Sequence, residues 1–316
     1  MGIKVLSLFD GISCGKLALD MCDIDVEKYY SSEINEYAIK VSSYNNPDII
    51  QVGDVRFLDG NNYKDVDLLI GGTPCVNFSF RGKHEGMITE HGDEIVSIEQ
   101  YIRNKNENII MNESSLFWEF VKVLKEIKPK YFFLENVKME KKWEDIITKN
   151  LNVEPIEINS KKYSCQFRNR YYWTNIPNIV GYESFLCDTN LPDILEDVVD
   201  EKYKLPYEEF SKIVITDINS NKNVGYVDRG TNIPLFEDLI YSNGKIGTLC
   251  ASDYIHRKKV FHNGTVRYLT PLEAERCQCI KDNYTACIDD DHRYECIGNG
   301  WTINVIASIF KNLEYI

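Results

Sequence analysis

The sequence predicts an α/β fold built around a parallel sheet. Short apolar runs that have the character of strands alternate with helix-like stretches, and this alternation is typical of βαβ units. Turn-forming residues bound each apolar run. With 316 residues, the chain is long enough for one large domain or two smaller ones. We therefore expect a sheet covered by helices on both faces, with ligands bound beyond the carboxyl ends of its strands.

The predicted elements alternate regularly along the chain. Each strand is a short, mostly apolar run, and these runs lie at residues 3–9, 28–32, 66–70 and 131–134. Each helix has apolar residues at helical spacing, and these stretches lie at residues 17–21, 36–43, 116–127 and 301–312. A further helix is predicted to begin at Thr270, because Thr270, Pro271 and Glu273 supply an N-cap, a first-turn proline and a capping-box glutamate.

The character of the sequence changes at about residue 181. From there to residue 262, acidic residues, Asn, Gly and Pro are interspersed with short apolar pieces, which indicates a smaller and irregular domain. The prediction is a main domain formed by residues 1–180 and 263–316, with a second domain at 181–262 inserted into it.

Composition indicates a globular protein of the cytoplasm. The chain is 43% hydrophobic and 27% charged, and no apolar run approaches the roughly 20 residues of a membrane helix. The amino terminus lacks the layout of a secretory signal, because Asp10 and Gly11 interrupt its apolar run. The 10 cysteines are scattered, as expected for free thiols in a reducing compartment. The cysteines nearest to one another fit no usual zinc spacing, so no metal is expected: Cys277, Cys279, Cys287 and Cys296.

The net charge of −13 by itself disfavours nucleic acid as a partner, because phosphate contacts favour basic proteins. A local basic cleft on an acidic body would still bind DNA. The basic pairs and runs that could contribute are 161–162, 168 with 170, and 257–259. Each of them is equally consistent with an ordinary solvated face.

Three loops at predicted strand ends suit an adenosine-like cofactor. The first carries Gly11 and Gly15, which allow the backbone to approach a ligand closely, although a plain tight turn would have the same residues. Glu33 closes the second strand, where a carboxylate suits a ribose diol. Asp54 follows the next apolar piece and could accept a hydrogen bond from an adenine amino group.

A cysteine and a glutamate follow two of the predicted strands. Pro74 and Cys75 come directly after a buried strand, on a loop where a structural cysteine is uncommon. Glu135 lies at the end of another strand, so the thiol and the carboxylate are expected to converge. This pair beside an adenosine pocket indicates nucleophilic catalysis with a proton partner. A protease would need a histidine base, and none of the five histidines lies in a suitable place.

A polar strand face is predicted near residue 168. Alternation along a strand would place Gln166, Arg168 and Arg170 on the same face. Three such groups need a polar substrate, a carboxylate network or solvent. An edge strand with one solvated side remains the alternative to a binding role.

The order of these motifs resembles the cytosine-5 DNA methyltransferase family over almost the whole chain. The motifs that carry the resemblance are 9–15, 33 with 54, 74–79, 135–137, 166–170, 267–276 and 298–301. One such motif would mean little, whereas seven in family order are highly specific. The resemblance implies a Rossmann-like S-adenosylmethionine-dependent methyltransferase sheet and makes 181–262 a variable target-recognition domain.

The resemblance also implies roles for individual residues. Cys75 would attack carbon 6 of a cytosine flipped out of duplex DNA, and Glu135 would bind the N3 and amino edge of the base. Arg168 and Arg170 would help to hold the base, one of them near its O2. Further substrate contacts are expected from Ser79, Asn136 and Gln166. S-Adenosylmethionine would be bound by Phe9, Asp10, Gly11, Ser13, Gly15, Glu33, Ile34, Asp54, Val55, Pro74, Asn299 and Trp301.

The resemblance implies double-stranded DNA as the partner and no membrane. Whether a cognate restriction endonuclease exists stays open, and a monomer is the default expectation. Phage self-protection and a solitary regulatory role remain open. An RNA cytosine methyltransferase would keep the same cysteine and glutamate. A binding protein that has lost its activity would be expected to lose some of the catalytic set, which is present here. A nicotinamide-dependent dehydrogenase would explain only the first loop.

One segment departs from the family pattern. Residues 94–112 form an apparent insertion between the nucleophile loop and the next helix. Ile95, Ile98 and Ile102 recur at helix-like intervals, so we expect the insertion to fold.

Overall fold

The computed structural model describes residues 2–78, 86–179, 184–230 and 234–313. The chain divides into two compact units. The first is formed by residues 1–158, 169–181 and 309–316, and the second by residues 159–168 and 182–308. The second unit is therefore larger than the predicted inserted domain, since it also takes in 159–168 and 263–308.

In chain order the strands are β1 (Ile3–Leu8), β2 (Val26–Ser32), β3 (Ile50–Gln51), β4 (Leu68–Gly72), β5 (Tyr131–Val137), β6 (Ile156–Asn159), β7 (Gln166–Phe167), β8 (Asn169–Thr174), β9 (Ile213–Ile215), β10 (Asn223–Val227), β11 (Leu239–Tyr241), β12 (Ile246–Gly247), β13 (Lys259–His262) and β14 (Thr265–Tyr268). The helices are α1 (Cys14–Met21), α2 (Glu36–Asn45), α3 (Ile98–Asn106), α4 (Phe117–Ile127), α5 (Lys141–Leu151), α6 (Tyr207–Phe210), α7 (Pro271–Cys277), α8 (Asp290–Asn299) and α9 (Ile303–Phe310).

The first unit is built on a mixed sheet with the strand order β3-β2-β1-β4-β5-β8-β6. Strand β1 runs parallel to β2 and β4, and β4 runs parallel to β5. Strand β8 is antiparallel to β5. The α/β fold is therefore confirmed, although the predicted parallel sheet is mixed because β8 runs antiparallel. The carboxyl ends of the parallel strands β1, β2, β4 and β5 lie at one edge.

Burial explains why these segments form the centre of the sheet. All seven residues of β5 are buried, as expected for a parallel strand covered on both faces. Helix α4 buries Phe117, Phe120 and Val121, which share one face at helical spacing. Both elements contribute to the same apolar core, which also includes Leu6 and Leu69 from β1 and β4.

The insertion at residues 94–112 folds, as predicted. Helix α3 begins after Ser97, whose hydroxyl accepts a hydrogen bond from the Gln100 N–H at 3.2 Å. Ile95 and Ile98 are buried in the core of the first unit. Ile102 does not join them, since it is 41% exposed. Tyr101, which the apolar spacing did not single out, is buried in its place.

The second unit contains a five-stranded sheet, counted over the described residues, with the order β14-β13-β11-β10-β9. Strands β7 and β12 form a separate parallel pair. The predicted helix start at Thr270 is confirmed, because Thr270 accepts from the Glu273 N–H at 3.2 Å and Glu273 accepts from the Thr270 N–H at 2.8 Å. An ion pair of 2.7 Å joins Glu273 to Arg267, and both side chains are buried.

Candidate active site

The loop between β1 and α1 has an unusual backbone. Phe9, Gly11 and Ser13 have φ angles of 57°, 57° and 62°, which is the left-handed region. Phe9 and Ser13 are not glycines, so this conformation costs free energy and must be held by surrounding contacts. Strain of this kind is concentrated at ligand sites. Gly15 is buried in the first turn of α1.

A buried polar cluster holds the loop in this conformation. The Ser13 hydroxyl donates to one Asp10 carboxylate oxygen at 2.5 Å and also contacts the Ser42 hydroxyl at 2.6 Å. The Tyr29 hydroxyl donates to the other Asp10 oxygen at 2.7 Å. Burial raises the pKa of the Asp10 carboxyl, and the hydrogen bond from Ser13 opposes that shift. The side chains of Asp10 and Ser13 thus hold the loop, while its backbone remains the part suited to a cofactor.

The Glu33 carboxylate is oriented by backbone N–H groups. One oxygen accepts from Gly11 at 2.8 Å, and the other accepts from Ile34 at 2.7 Å and from Asn35 at 2.8 Å. These bonds connect the ends of β1 and β2 and fix the carboxylate at the sheet edge. The adjacent Ile34 side chain is 66% exposed, so it offers an apolar surface beside that carboxylate.

Asp54 is the N-cap of a 3₁₀ turn formed by Val55–Phe57. Its carboxylate accepts from the Arg56 backbone N–H at 2.9 Å and from the Arg56 Nε at 2.9 Å. The hydrogen bond from Arg56 lowers the pKa of Asp54, which therefore stays ionised at neutral pH. The neighbouring Val55 side chain belongs to the apolar core.

The loop that carries Cys75 follows β4 and is fixed by the neighbouring strand. Pro74 and Cys75 are half-buried, and Cys75 packs partly against the core of the first unit. The buried Asn136 side chain donates to the Thr73 hydroxyl at 2.9 Å. The Phe78 N–H donates to the Cys75 carbonyl at 3.0 Å, which closes a tight turn. Ser79, an expected substrate contact, lies outside the described residues.

Glu135 and Arg170 form an ion pair at the same edge. The Arg170 Nε lies 2.9 Å from Glu135 Oε1, and the two side chains are only 14% and 10% exposed. The β4–β5 register places Glu135 beside Gly72, three residues before Cys75. The ends of β4 and β5 therefore lie side by side, with Glu135 and its partner Arg170 next to the strand end that leads to Cys75.

The prediction that Gln166, Arg168 and Arg170 share one strand face is wrong. Gln166 lies in β7 and Arg170 in β8, with a break at Arg168 between them. Strand β7 pairs with β12, whereas β8 pairs with β5. The chain changes sheets within five residues, so the alternation of a single strand does not apply.

Gln166 and Arg168 are buried within the second unit. The Gln166 amide donates to the Cys277 carbonyl at 2.9 Å and to the Gln278 side chain at 2.8 Å. The Arg168 guanidinium donates to the carbonyls of Leu249 and Gly300, each at 2.8 Å. The solvated-edge alternative is therefore excluded for both side chains, whose partners are protein groups.

Two further predicted cofactor residues lie in the second unit. Asn299 is the exposed last residue of α8, and Trp301 is buried just after it. Sequence reasoning missed Gln278, which is fully buried and connects Gln166 to the Ile297 carbonyl. It also missed Thr73, although the position of Thr73 two residues before the cysteine was a signal.

None of the helices in the described parts of the chain has the length and hydropathy needed to cross a membrane. Over those same residues, no three His, Cys, Asp or Glu side chains come together as a metal site requires.

Comparison with known proteins identifies the family of the chain. A model of the family "C-5 cytosine-specific DNA methylase" matches residues 3–315. Type II methyltransferase M1.ScrFI of Lactococcus lactis subsp. cremoris is 28% identical over 98% of this chain and 77% of that protein. The orphan methyltransferase M.SPBetaI of Bacillus phage SPbeta is 26% identical, with 98% and 97% covered. The fold is similar to that of the S. pombe Dnmt2 methyltransferase, with a TM-score of 0.70, 15% identity and 98% of both chains covered. The chain therefore belongs to the C-5 cytosine-specific DNA methylase family and is a DNA cytosine-5 methyltransferase.

Proposed function

We propose that this enzyme methylates a cytosine within a specific duplex DNA sequence through a covalent bond between Cys75 and carbon 6 of the base. The observation that carries the proposal is the buried Glu135–Arg170 ion pair beside the strand end that leads to Cys75. A carboxylate held in this way is oriented for a base edge, and the thiol lies on the adjacent loop. Enzymes that act on a base must first remove it from the stack, so the target cytosine is flipped out of the duplex.

The chemistry divides among these side chains. The Cys75 thiolate forms a bond to C6, and the C5–C6 π electrons move to C5. Glu135 binds the N3 and amino edge and stabilises the charge that develops on the ring. Arg170 holds Glu135 and is the arginine that we place near O2. Once C5 has accepted the methyl group, a base removes the C5 proton, the electron pair restores the double bond, and the bond to Cys75 breaks.

The methyl donor of this family is S-adenosylmethionine, which supplies an electrophilic methyl group. The residues present fit it. Glu33 has a carboxylate fixed for a ribose diol, and the strained loop at Phe9 and Gly11 brings backbone to the same edge. Asp54 lies at the next strand end and is placed to accept the adenine amino group. We assign Asp10, Ser13, Gly15, Val55 and Pro74 to the walls and support of this pocket. That Asn299 and Trp301 bind the cofactor stays a prediction from the family resemblance.

We assign supporting roles to Gln166 and Arg168, because their polar atoms are bonded within the second unit. Target recognition would then come from the irregular part of that unit, at residues 184–230 and 234–262. DNA modification, with a cognate endonuclease or as protection of phage DNA, is the proposed cellular role. Related proteins named type II and orphan methyltransferases support both settings. A monomer acting on DNA in the cytoplasm is the expected working state.

The test is transfer of tritiated methyl groups from S-adenosylmethionine to mixed-sequence duplex DNA. The native protein should produce labelled 5-methylcytosine, and Cys75→Ala should produce none. Cys287→Ala is the matched control, since this half-buried cysteine lies outside the proposed site and should keep full activity. Methyl transfer to RNA but not to DNA would show that the substrate is RNA. Label on the exocyclic amino group of cytosine would refute methylation of C5.

A second measurement isolates the covalent step. Duplex DNA that carries 5-fluorocytosine at the target should form a complex that resists denaturation, because fluorine cannot leave C5 as a cation and Cys75 cannot be eliminated. Peptide mapping should place the base on Cys75. A trapped complex with Cys75→Ala would show that another residue is the nucleophile.

A further inference from the structure

Helix α4 carries a buried carboxylate that the proposed reaction does not use. Glu119 is fully buried. The Tyr101 hydroxyl donates to Glu119 Oε1 at 2.8 Å, and the Lys105 ammonium pairs with the same oxygen. The Lys122 ammonium lies 2.9 Å from Oε2. An ionised carboxylate in an apolar core is costly unless it is paired, so two lysines and a tyrosine compensate its burial.

The two lysines also reach the segment that carries Asp54. Lys105 Nζ donates to the Arg56 carbonyl at 2.8 Å. Lys122 Nζ donates to the Leu58 carbonyl at 3.1 Å. Both carbonyls belong to or follow the 3₁₀ turn that begins after Asp54. Each ammonium therefore connects the buried Glu119 to the backbone of this turn.

The turn transmits this support to the cofactor carboxylate. Both Asp54 oxygens accept hydrogen bonds from the Arg56 side chain. The position of Arg56 is in turn fixed by the Lys105 bond to its carbonyl. A continuous series of hydrogen bonds and ion pairs thus runs from α3 and α4 to the carboxylate proposed to bind adenine.

Helix α3 belongs to the insertion at 94–112, so the insertion supplies part of this support. We propose that Lys105 is a positioning residue for the adenine end of the cofactor pocket, acting through the Arg56 carbonyl and the Asp54 carboxylate. The inference rests on the proposed function, in which Asp54 binds the adenine of S-adenosylmethionine. Lys122 holds the far end of the same turn, and Lys105 connects the turn to the insertion.

The test compares Lys105→Met with Lys142→Met. Lys142 also pairs with the insertion, at Glu94, but through exposed side chains that do not contact the Asp54 turn. Isothermal titration with S-adenosylhomocysteine should give a Kd about tenfold higher for Lys105→Met. The KM for S-adenosylmethionine should rise with it, whereas kcat at saturating cofactor stays within about twofold. Lys142→Met should keep the native Kd, and Lys105→Arg should restore most of the lost affinity.

A cycle with Asp54→Asn shows whether the effect passes through Asp54. Lys105→Met should weaken binding much less in the Asp54→Asn background than in the native one. Equal losses in the two backgrounds, a native Kd for Lys105→Met, or an equal loss for Lys142→Met would overturn the inference. Failure of the native protein itself to bind S-adenosylhomocysteine would overturn the proposed function, and this inference with it.

Discussion

The Glu135–Arg170 ion pair predicts a specific pattern of stability changes. The two side chains are 10% and 14% exposed, so Arg170→Met leaves a carboxylate that is mostly removed from water and has lost its counter-ion. Removing one partner of a buried pair typically costs 3–5 kcal/mol, and slight exposure places this case at about 3 kcal/mol. Replacing both partners removes the uncompensated charge. Glu135→Gln with Arg170→Met should therefore recover about 2 kcal/mol relative to Arg170→Met alone.

The assay is urea unfolding at about pH 7.5, followed by tryptophan fluorescence. It compares the native protein, both single variants and the double variant. Lys138→Met serves as the control, because its partner Glu157 and Lys138 itself are 41% and 46% exposed. Loss of this exposed ion pair should leave the urea midpoint of unfolding nearly unchanged. Additive losses for Glu135→Gln and Arg170→Met, with no recovery in the double variant, would refute the reasoning.

Three other predictions concern separate parts of the chain. Gly298→Ala should lower Tm by several degrees in a thermal scan, because the added Cβ would lie 2.2 Å from the backbone carbon of Cys250. The pKa of Asp54 is depressed below 3.8 by Arg56, so the stability that it contributes is present above that value and is lost as the pH falls through the folded pKa. The stability difference between the native protein and Asp54→Asn should therefore shrink in acid unfolding below about pH 4. Burial raises the pKa of Cys279 to about 12, so mass spectrometry should find slow maleimide labelling of Cys279 at about pH 8 until the protein is unfolded.

Much of the first unit could be predicted because its signals are local. Strands β1, β4 and β5 are mostly apolar, and apolar runs bounded by turn residues indicate buried strands whatever lies beside them. The boundaries differ by a few residues. Strand β1 ends at Leu8, one residue early, because Phe9 adopts a left-handed φ that a strand does not allow.

The path of residues 166–170 could not be predicted from alternation. Strand β7 is two residues long, and its partner β12 lies about eighty residues later. A period of two in the sequence describes one face only while the strand is continuous. Nothing in the local pattern reveals that the chain passes from one sheet to another at Arg168.

The direction in which loop side chains point could not be predicted from the sequence either. The motif at Asp10 and Ser13 indicated a cofactor loop, but not that its carboxylate and hydroxyl would turn inward towards Tyr29 and Ser42. The insertion gives a similar case. Its apolar spacing predicted a folded segment, whereas the Lys105 contact with Arg56 joins residues 49 positions apart.

Strand geometry separates the roles of the two polar residues at the end of β5. Consecutive residues of a strand point to opposite faces, so Glu135 and Asn136 cannot both face the same ligand from a regular strand. Glu135 faces Arg170, and Asn136 faces Thr73 in the nucleophile loop. The amide oxygen of Asn136 also accepts from the Val137 N–H at 2.7 Å, so both ends of its amide are bonded within the protein. We therefore infer that Asn136 sets the position of the loop that carries Cys75, while Glu135 binds the base. The end of β5 would therefore support the loop that carries Cys75 through one side chain, and would present the carboxylate proposed to bind the base through the next.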